Sequence, residues 1–277
     1  MSGVPRTVEV EIHGLRWSVR VAGSGPALLL LHGFTGSGRS WDALTNAAIA
    51  AGCTVIAPDL PGHGGTAWSA ARATVERTAD DVASLLRALG HERADVVGYS
   101  MGARVALRLA IAHPACVARL VLEAPSAGSA DPAERSARRD ADEARALSLE
   151  RDGIAPFVDA WERTPVLAGE GHAGDGARAA LRAIRLGHDP AGLAASLRAA
   201  GQGAMEPLHD RLGEITASTV VIVGADDPAR QRADAVAEGI PGARLASVPG
   251  AGHAPHLEAP AAFTRLVLDF VSEEHVA

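Results

Sequence analysis

"VVGYSMGARVAL", residues Val96–Leu107, sets a serine between two glycines, with an apolar run before it and helix-like spacing after it. This Gly-x-Ser-x-Gly pattern predicts a sharp strand-to-helix turn that projects Ser100 from its elbow, because Gly98 and Gly102 permit a tight backbone. The helix N-terminus that follows supplies partial positive charge and unpaired backbone N–H groups. Five residues alone are a weak signal. The strand before them and the helix after them make Ser100 a candidate nucleophile. Arg104, four residues on, is expected on the same helix face, below the serine.

Outward from this stretch the first half of the chain alternates strand-like and helix-like segments. "ALLLLHG", "TVIAPDL", "ADVVGYS" and "RLVLEAP" are short, continuous apolar runs, as expected of strands buried on both faces. "TVERTADDVASLLRALG" carries Val75, Val82, Leu85, Leu86 and Leu89 at helical spacing and ends on Gly90, a plausible C-cap. "MGARVALRLAIAHP" is a second helix, stopped by Pro114. "TVEVEIHG" and "LRWSVRVAG" read as a hairpin turning at His13–Gly14. The alternation implies an α/β fold with a mostly parallel, twisted sheet flanked by helices. The pattern breaks after Pro125: Ser126 to Pro207 reads as charged, Ala/Arg-rich helices without a strand signal. Strands resume at "STVVIVGADD" and "ARLASVPGAGH", and "APAAFTRLVLDFVSEE" makes a last helix. The expected organisation is a core of residues 1–125 and 208–277 and a helical cap of residues 126–207, with "GEGHAGDGARA" a flexible link between cap helices.

The chain has 277 residues and a net charge of −7, with no basic block, which argues against nucleic-acid binding. The longest apolar run, "ALLLLHGF", is too short to span a bilayer. The N-terminal stretch has no basic segment leading into an apolar one, so a cytoplasmic enzyme is expected. Cys53 and Cys116 read as reduced thiols. His and Cys never cluster at ligand spacing and no Gly-rich phosphate loop follows a strand, so neither metal nor organic cofactor is implied.

A serine needs a positioned imidazole to act as nucleophile or base. His253, in "VPGAGHAPHLEAP", follows the last predicted strand on a Gly-rich loop, where a doubly wound sheet places functional groups. His256, three residues on, is read as a surface or cap-facing group. The orienting acid should lie between serine and histidine in the chain. Asp227 is the choice, with the adjacent Asp226 capping a helix or turn. In "LLHGFTG", the backbone N–H of Phe34 is expected to join that of Met101 in holding an oxyanion. His32 is placed with the substrate-binding groups as a hydrogen-bonding support, a purely structural role being equally open. His63, in "DLPGHGGT", reads as a loop organiser.

Together these motifs resemble the α/β-hydrolase superfamily over nearly the whole chain, in the order Ser100, Asp227, His253. Gly-Tyr-Ser-Met-Gly-Ala-Arg is more narrowly similar to the elbow of the 2-succinyl-6-hydroxy-2,4-cyclohexadiene-1-carboxylate synthases of menaquinone biosynthesis. That resemblance implies roles in binding an anionic substrate for Arg104, for Arg185 in "AIRLGHDPAGLAASLRAAGQGAMEPLHDRLGEI", and for Arg138 in "ERSARR", with Arg135 as its fallback. It adds Tyr99, beside the serine, and Trp161, in "GIAPFVDAWERTPVL", to the site. The sequence departs from the family after the acid, where Pro228-Ala229-Arg230 replaces a charged pair and an aromatic, and more mildly at "AGQGAME".

The implied reaction eliminates pyruvate from 2-succinyl-5-enolpyruvyl-6-hydroxy-3-cyclohexene-1-carboxylate. A base removes a ring proton while negative charge develops on the conjugated carboxylate system. Whether Ser100 takes the proton itself or relays it to His253 stays open. The expected partner is a small carboxylate-bearing substrate, taken by a monomer or small homo-oligomer. Two other readings use the same scaffold: a serine hydrolase (carboxylesterase or carbon–carbon bond hydrolase) and a non-catalytic small-molecule receptor.

Overall fold

The computed structural model describes residues 4–273. Met1–Gly3, at the start of the N-terminal stretch, and Glu274, at the end of the last predicted helix, lie outside the described residues. Eight strands form one sheet: β1 (Arg6–Ile12), β2 (Leu15–Gly23), β3 (Ala27–Leu31), β4 (Thr54–Pro58), β5 (Ala94–Tyr99), β6 (Val117–Glu123), β7 (Ser218–Gly224) and β8 (Arg244–Val248). Their spatial order is β1-β2-β4-β3-β5-β6-β7-β8. β2 runs antiparallel to β1 and β4, and every other pairing is parallel. The β1–β2 hairpin closes at His13 and Gly14, both at positive φ, a turn whose twist matches that of the strands.

The continuous apolar runs follow from burial on both faces. Leu29 and Leu31 point to the side packed by α2 (Val75–Ala88), α3 (Met101–Ala112) and α8 (Arg230–Gly239). Leu28 and Leu30 point to the side packed by α1 (Asp42–Ala50) and α10 (Pro260–Ser272). Each such leucine contributes about 2 kcal/mol by leaving water. α2 is capped by the Thr74 side chain, which accepts from Arg77 N–H. It ends before Gly90, which takes the positive φ of 84° that a side chain would disfavour.

Between β6 and β7 the chain forms α4 (Pro132–Asp152), α5 (Ile154–Trp161), α6 (Asp175–Leu186) and α7 (Pro190–Ala200). Asp131 and Asp189 cap α4 and α7, each followed by a proline in the first turn, where its missing N–H costs nothing. α4, α5 and α7 share a small core of Ala146, Leu149, Phe157, Val158, Leu193 and Leu197, which Phe34 joins from the loop after β3. The segment read as a flexible link instead begins within a 3-10 helix, Pro165–His172, and runs directly into α6.

Along the sheet, the chain moves from β3 to β4 on one side and to β5 on the other. The strand order therefore reverses between β3 and β5. The crevice beyond the C-terminal ends of these two strands is where such sheets bind ligands. The Gly33–Thr35 loop and the Ser100 elbow flank this crevice. Among the described residues no helix is long and apolar enough to cross a membrane.

Candidate active site

Ser100 sits at φ 49°, ψ −104°, between β5 and α3. A non-glycine residue there is strained by about 1–3 kcal/mol and persists only when its surroundings hold it. They do so through close approach of backbones. A Cβ on Gly98 would lie 2.6 Å from the Gly102 carbonyl oxygen, and one on Gly102 would lie 2.1 Å from that of Leu31. The Ser100 N–H also donates to the Glu123 carbonyl at the end of β6 (2.9 Å).

The elbow brings Ser100 Oγ to 3.1 Å from His253 Nε2, and His253 Nδ1 to 3.0 Å from Asp227 Oδ2. His253 lies between β8 and α9 (Pro255–Glu258), and Asp227 just past β7. Burial alone would raise the Asp227 carboxyl. The hydrogen bond and charge of His253, with the Ala229 N–H, reverse this and hold it below the ordinary carboxylate value. The turn-capping role read for Asp226 belongs to Asp227 itself, whose Oδ1 accepts from Ala229 N–H (2.8 Å). Asp226 is exposed.

Phe34 and Met101 both line the cavity above Ser100. Neither backbone N–H has an acceptor among the described residues, and Met101 opens a helix whose first N–H groups have none to offer. His32 does not line the cavity, which corrects its placement among the substrate-binding residues. It is fully buried, Nδ1–H donates to the Gly33 carbonyl (2.8 Å) and Nε2 accepts from Leu60 N–H (2.9 Å). Both nitrogens are spent on tying the Gly33 loop to the loop after β4.

His63 and His188 extend this scaffold. His63 Nε2 accepts from Thr35 N–H (3.3 Å), and His188 Nε2–H donates to the Thr35 carbonyl (3.0 Å). Each ring has one donating and one accepting nitrogen, the pattern of a neutral imidazole. Burial holds all three below the ordinary value of 6.5, His32 down to about 4. At His32 the unfolded chain therefore binds a proton that the folded chain refuses between pH 6.5 and about 4. Stability from His32 is complete above pH 6.5 and falls by up to about 1.4 kcal/mol per pH unit as pH drops through that window, and His63 and His188 act in the same direction. A melting temperature that declines from pH 6.5 toward pH 4 is expected; a flat profile would contradict it.

A cavity of about 500 Å³ opens from Ser100, of a size suited to a small organic ligand. Tyr99, Trp161, Arg104, Arg138 and Arg185 all line it. Tyr99 is buried against His253 and His256, and burial raises its phenol well above the ordinary value. Trp161 Nε1–H donates to Thr35 Oγ1 (3.1 Å), and its ring packs edge-on to Phe34. Arg138 faces the cavity, whereas Arg135, its alternative, donates to the Met205 carbonyl.

Arg104 is 7% exposed, donates from Nη2 to the Ala200 carbonyl (2.8 Å), and leaves its buried Nε–H without a partner. Burial lowers its pKa to about 10, which still leaves it a cation at neutral pH.

Arg185 is held differently. Its Nη2 donates to both oxygens of Glu170 (2.8 Å each) and its Nη1 to Glu162 (3.2 Å). Nothing in the small-residue stretch around Glu170 marked it as the partner of a buried arginine. Removing one member of such a pair strands the other, at about 3 kcal/mol. Arg185→Met should therefore lower the unfolding free energy in urea by about that much. Adding Glu170→Leu should recover most of it.

His256 is not a surface group. It is 7% exposed and lines the cavity, and its Nδ1–H donates to Glu123 Oε1 (2.9 Å), as does its backbone N–H (2.8 Å). The Gly-x-Gly-His loop turns His256 inward under Tyr99 and Trp41. Glu123, fully buried at the end of β6, is a second residue whose partner could not be foreseen from spacing. Among the described residues no group of three or more His, Cys, Asp or Glu side chains could hold a metal ion.

A serine on a strained strand-to-helix elbow, a histidine after the last strand and an acid after the preceding one share this sheet with a sequence match: the model of the alpha/beta hydrolase family fits residues 28–266. The chain belongs to the α/β-hydrolase family. This α/β-hydrolase is 33% identical to a putative 2-succinyl-6-hydroxy-2,4-cyclohexadiene-1-carboxylate synthase of Bacillus subtilis, over 96% of its own length and 98% of the relative's. Its fold superposes on the structure of MenH from S. aureus with a TM-score of 0.84 at 30% identity, covering 91% and 97% of the two chains. It is also similar to a thermophilic esterase from Thermogutta terrifontis, solved with malate bound, with a TM-score of 0.84 at 26% identity over 96% and 98% of the chains.

Proposed function

We propose that this α/β-hydrolase eliminates pyruvate from 2-succinyl-5-enolpyruvyl-6-hydroxy-3-cyclohexene-1-carboxylate. The observation that carries the reading is Arg104: a buried cation with an unsatisfied Nε–H and no carboxylate in ion-pair contact, one helical turn below Ser100 and open to the same cavity, with Asp142 acting on it only through its charge. Such a cation is costly unless an anion completes it, and a hydrolase of neutral esters has no use for one. The similarity to the Bacillus subtilis relative supports the same reading.

The chemistry follows from the positions named in substrate and product. A proton leaves C2, which is α to the succinyl ketone. A C2=C3 double bond forms, C3=C4 shifts to C4=C5, and the C5–O bond breaks. Enolpyruvate departs with that electron pair and takes up a proton to become pyruvate. Ser100 Oγ, backed by His253 Nε2, accepts the C2 proton, and Asp227 keeps His253 in the tautomer that can receive it. Charge collects on the succinyl ketone oxygen rather than on a ring carboxylate. The Phe34 and Met101 N–H groups stabilise it there. Arg104, Arg138 and Arg185 take the carboxylates, and residues 126–207 act as a cap over a core of residues 1–125 and 208–277.

The test is pyruvate release, followed by coupled reduction, from substrate freshly made by the preceding enzyme. Release well above the spontaneous rate supports the elimination. The similarity to the Thermogutta esterase favours a second reading, serine hydrolase. Background-level release together with rapid turnover of short p-nitrophenyl esters would select it.

A further inference from the structure

The end of the cavity beneath α4 contains more positive charge than its carboxylates answer. Arg104, Arg138, Arg145 and Arg232 line it, with Glu134 and Asp142. Glu134 Oε1 accepts from Arg138 Nε and Nη2 (2.9 and 2.8 Å), and Asp142 Oδ1 accepts from Arg145 Nη1 (2.9 Å). Arg104 and Arg232 have no hydrogen-bonded carboxylate, although Asp142 acts on Arg104, and Glu134 and Asp227 on Arg232, through their charge. The nearest carboxylate oxygen to Arg232 is Glu134 Oε1, 3.9 Å away and already engaged. Arg232 makes no hydrogen bond through its side chain among the described residues.

The chain reaches this arrangement through the stretch after Asp227. Arg230 N–H donates to the Asp227 carbonyl (3.1 Å) and Arg232 N–H to that of Ala229 (2.9 Å), starting α8. The Arg230 side chain turns away to Ser247 Oγ (2.8 Å), and the small Ala229 lines the cavity beside Arg232. Two residues further on, Arg232 comes round to the cavity side. Burial depresses its pKa, and the neighbouring Arg138 adds to this. Like charges gathered in a partly desolvated pocket repel, and an arriving anion relieves that repulsion.

We propose that Arg232 binds substrate: with Arg104 and Arg138 it forms a three-arginine subsite that holds one carboxylate of a polycarboxylate ligand. The inference rests on the reading that this cavity takes a carboxylate-bearing substrate. Arginine suits the task because its planar fork grips a carboxylate through two parallel hydrogen bonds.

The probe is 2-(3-carboxypropanoyl)benzoate, a stable aromatic dicarboxylate, titrated calorimetrically into wild type and Arg232→Gln. Two monocarboxylates, 4-oxo-4-phenylbutanoate and 2-butanoylbenzoate, are titrated alongside. Arg232→Gln should keep the wild-type melting temperature and bind the dicarboxylate about tenfold more weakly. One monocarboxylate should lose affinity by the same factor and the other by less than about twofold, which identifies the carboxylate held. Unchanged dicarboxylate affinity would overturn the proposal. So would equal losses for all three ligands, the sign of a diffuse field rather than a contact, or failure of wild type to bind the dicarboxylate. Arg232-dependent binding without pyruvate release would leave the subsite standing and remove the elimination. Pyruvate release with no Arg232 dependence would do the reverse.

Discussion

Ser100→Ala is expected to lower the rate of pyruvate release by about 10⁴-fold or more. Ser100 Oγ is the atom that both faces the cavity and bonds His253 Nε2, so nothing else at the elbow can take over its proton transfer. KM should change little, because the arginines proposed to bind the carboxylates remain. The fold should also be intact: alanine tolerates φ 49° about as poorly as serine, and the Ser100 backbone N–H keeps its bond to the Glu123 carbonyl. The checks are single-turnover pyruvate release and a urea melt on the same sample. Surviving activity in a folded variant would remove Ser100 from the mechanism.

Arg104→Met is expected to move activity and stability in different directions. Removing a desolvated cation from opposite a bound carboxylate costs about 2–5 kcal/mol, so kcat/KM should fall by roughly 10²–10³-fold. In the free protein, however, Arg104 has one side-chain hydrogen bond, an unsatisfied Nε–H and no carboxylate in ion-pair contact. Methionine fills similar volume without a buried charge, so the melting temperature should hold or rise. Turnover of a neutral ester, such as p-nitrophenyl acetate, should be nearly unaffected. A comparable loss on the neutral ester, or a marked loss of stability, would mean that Arg104 supports the elbow rather than the substrate.

Much of the fold was legible because its signals are local. A strand buried on both faces must read as an apolar run, and β3, β4, β5 and β7 do. An elbow that admits no Cβ at two positions must carry two glycines, as at Gly98 and Gly102. Ser100, Asp227 and His253 lie at strand ends, where topology alone brings them together. What was not legible depends on partners distant in sequence. His256 read as a surface or cap-facing group until the fold set Glu123 against it, and the support from His32 is a tie between two loops. Glu170 sat in a small-residue stretch with no periodicity, and its role exists only because Arg185 arrives from α6. Arg232 was one of many arginines, and only counting carboxylates in three dimensions sets it apart.

Phe34 belongs to two structures at once. Its backbone contributes to the loop after β3, beside Ser100, while its ring packs with Phe157 and Trp161 in the small core shared by α4, α5 and α7. A lever joins the two. Tilting α5 away from the sheet would pull on the ring and, through it, on the loop beside Ser100. A change in the packing of α5 is therefore felt beside Ser100 without any direct contact with the serine.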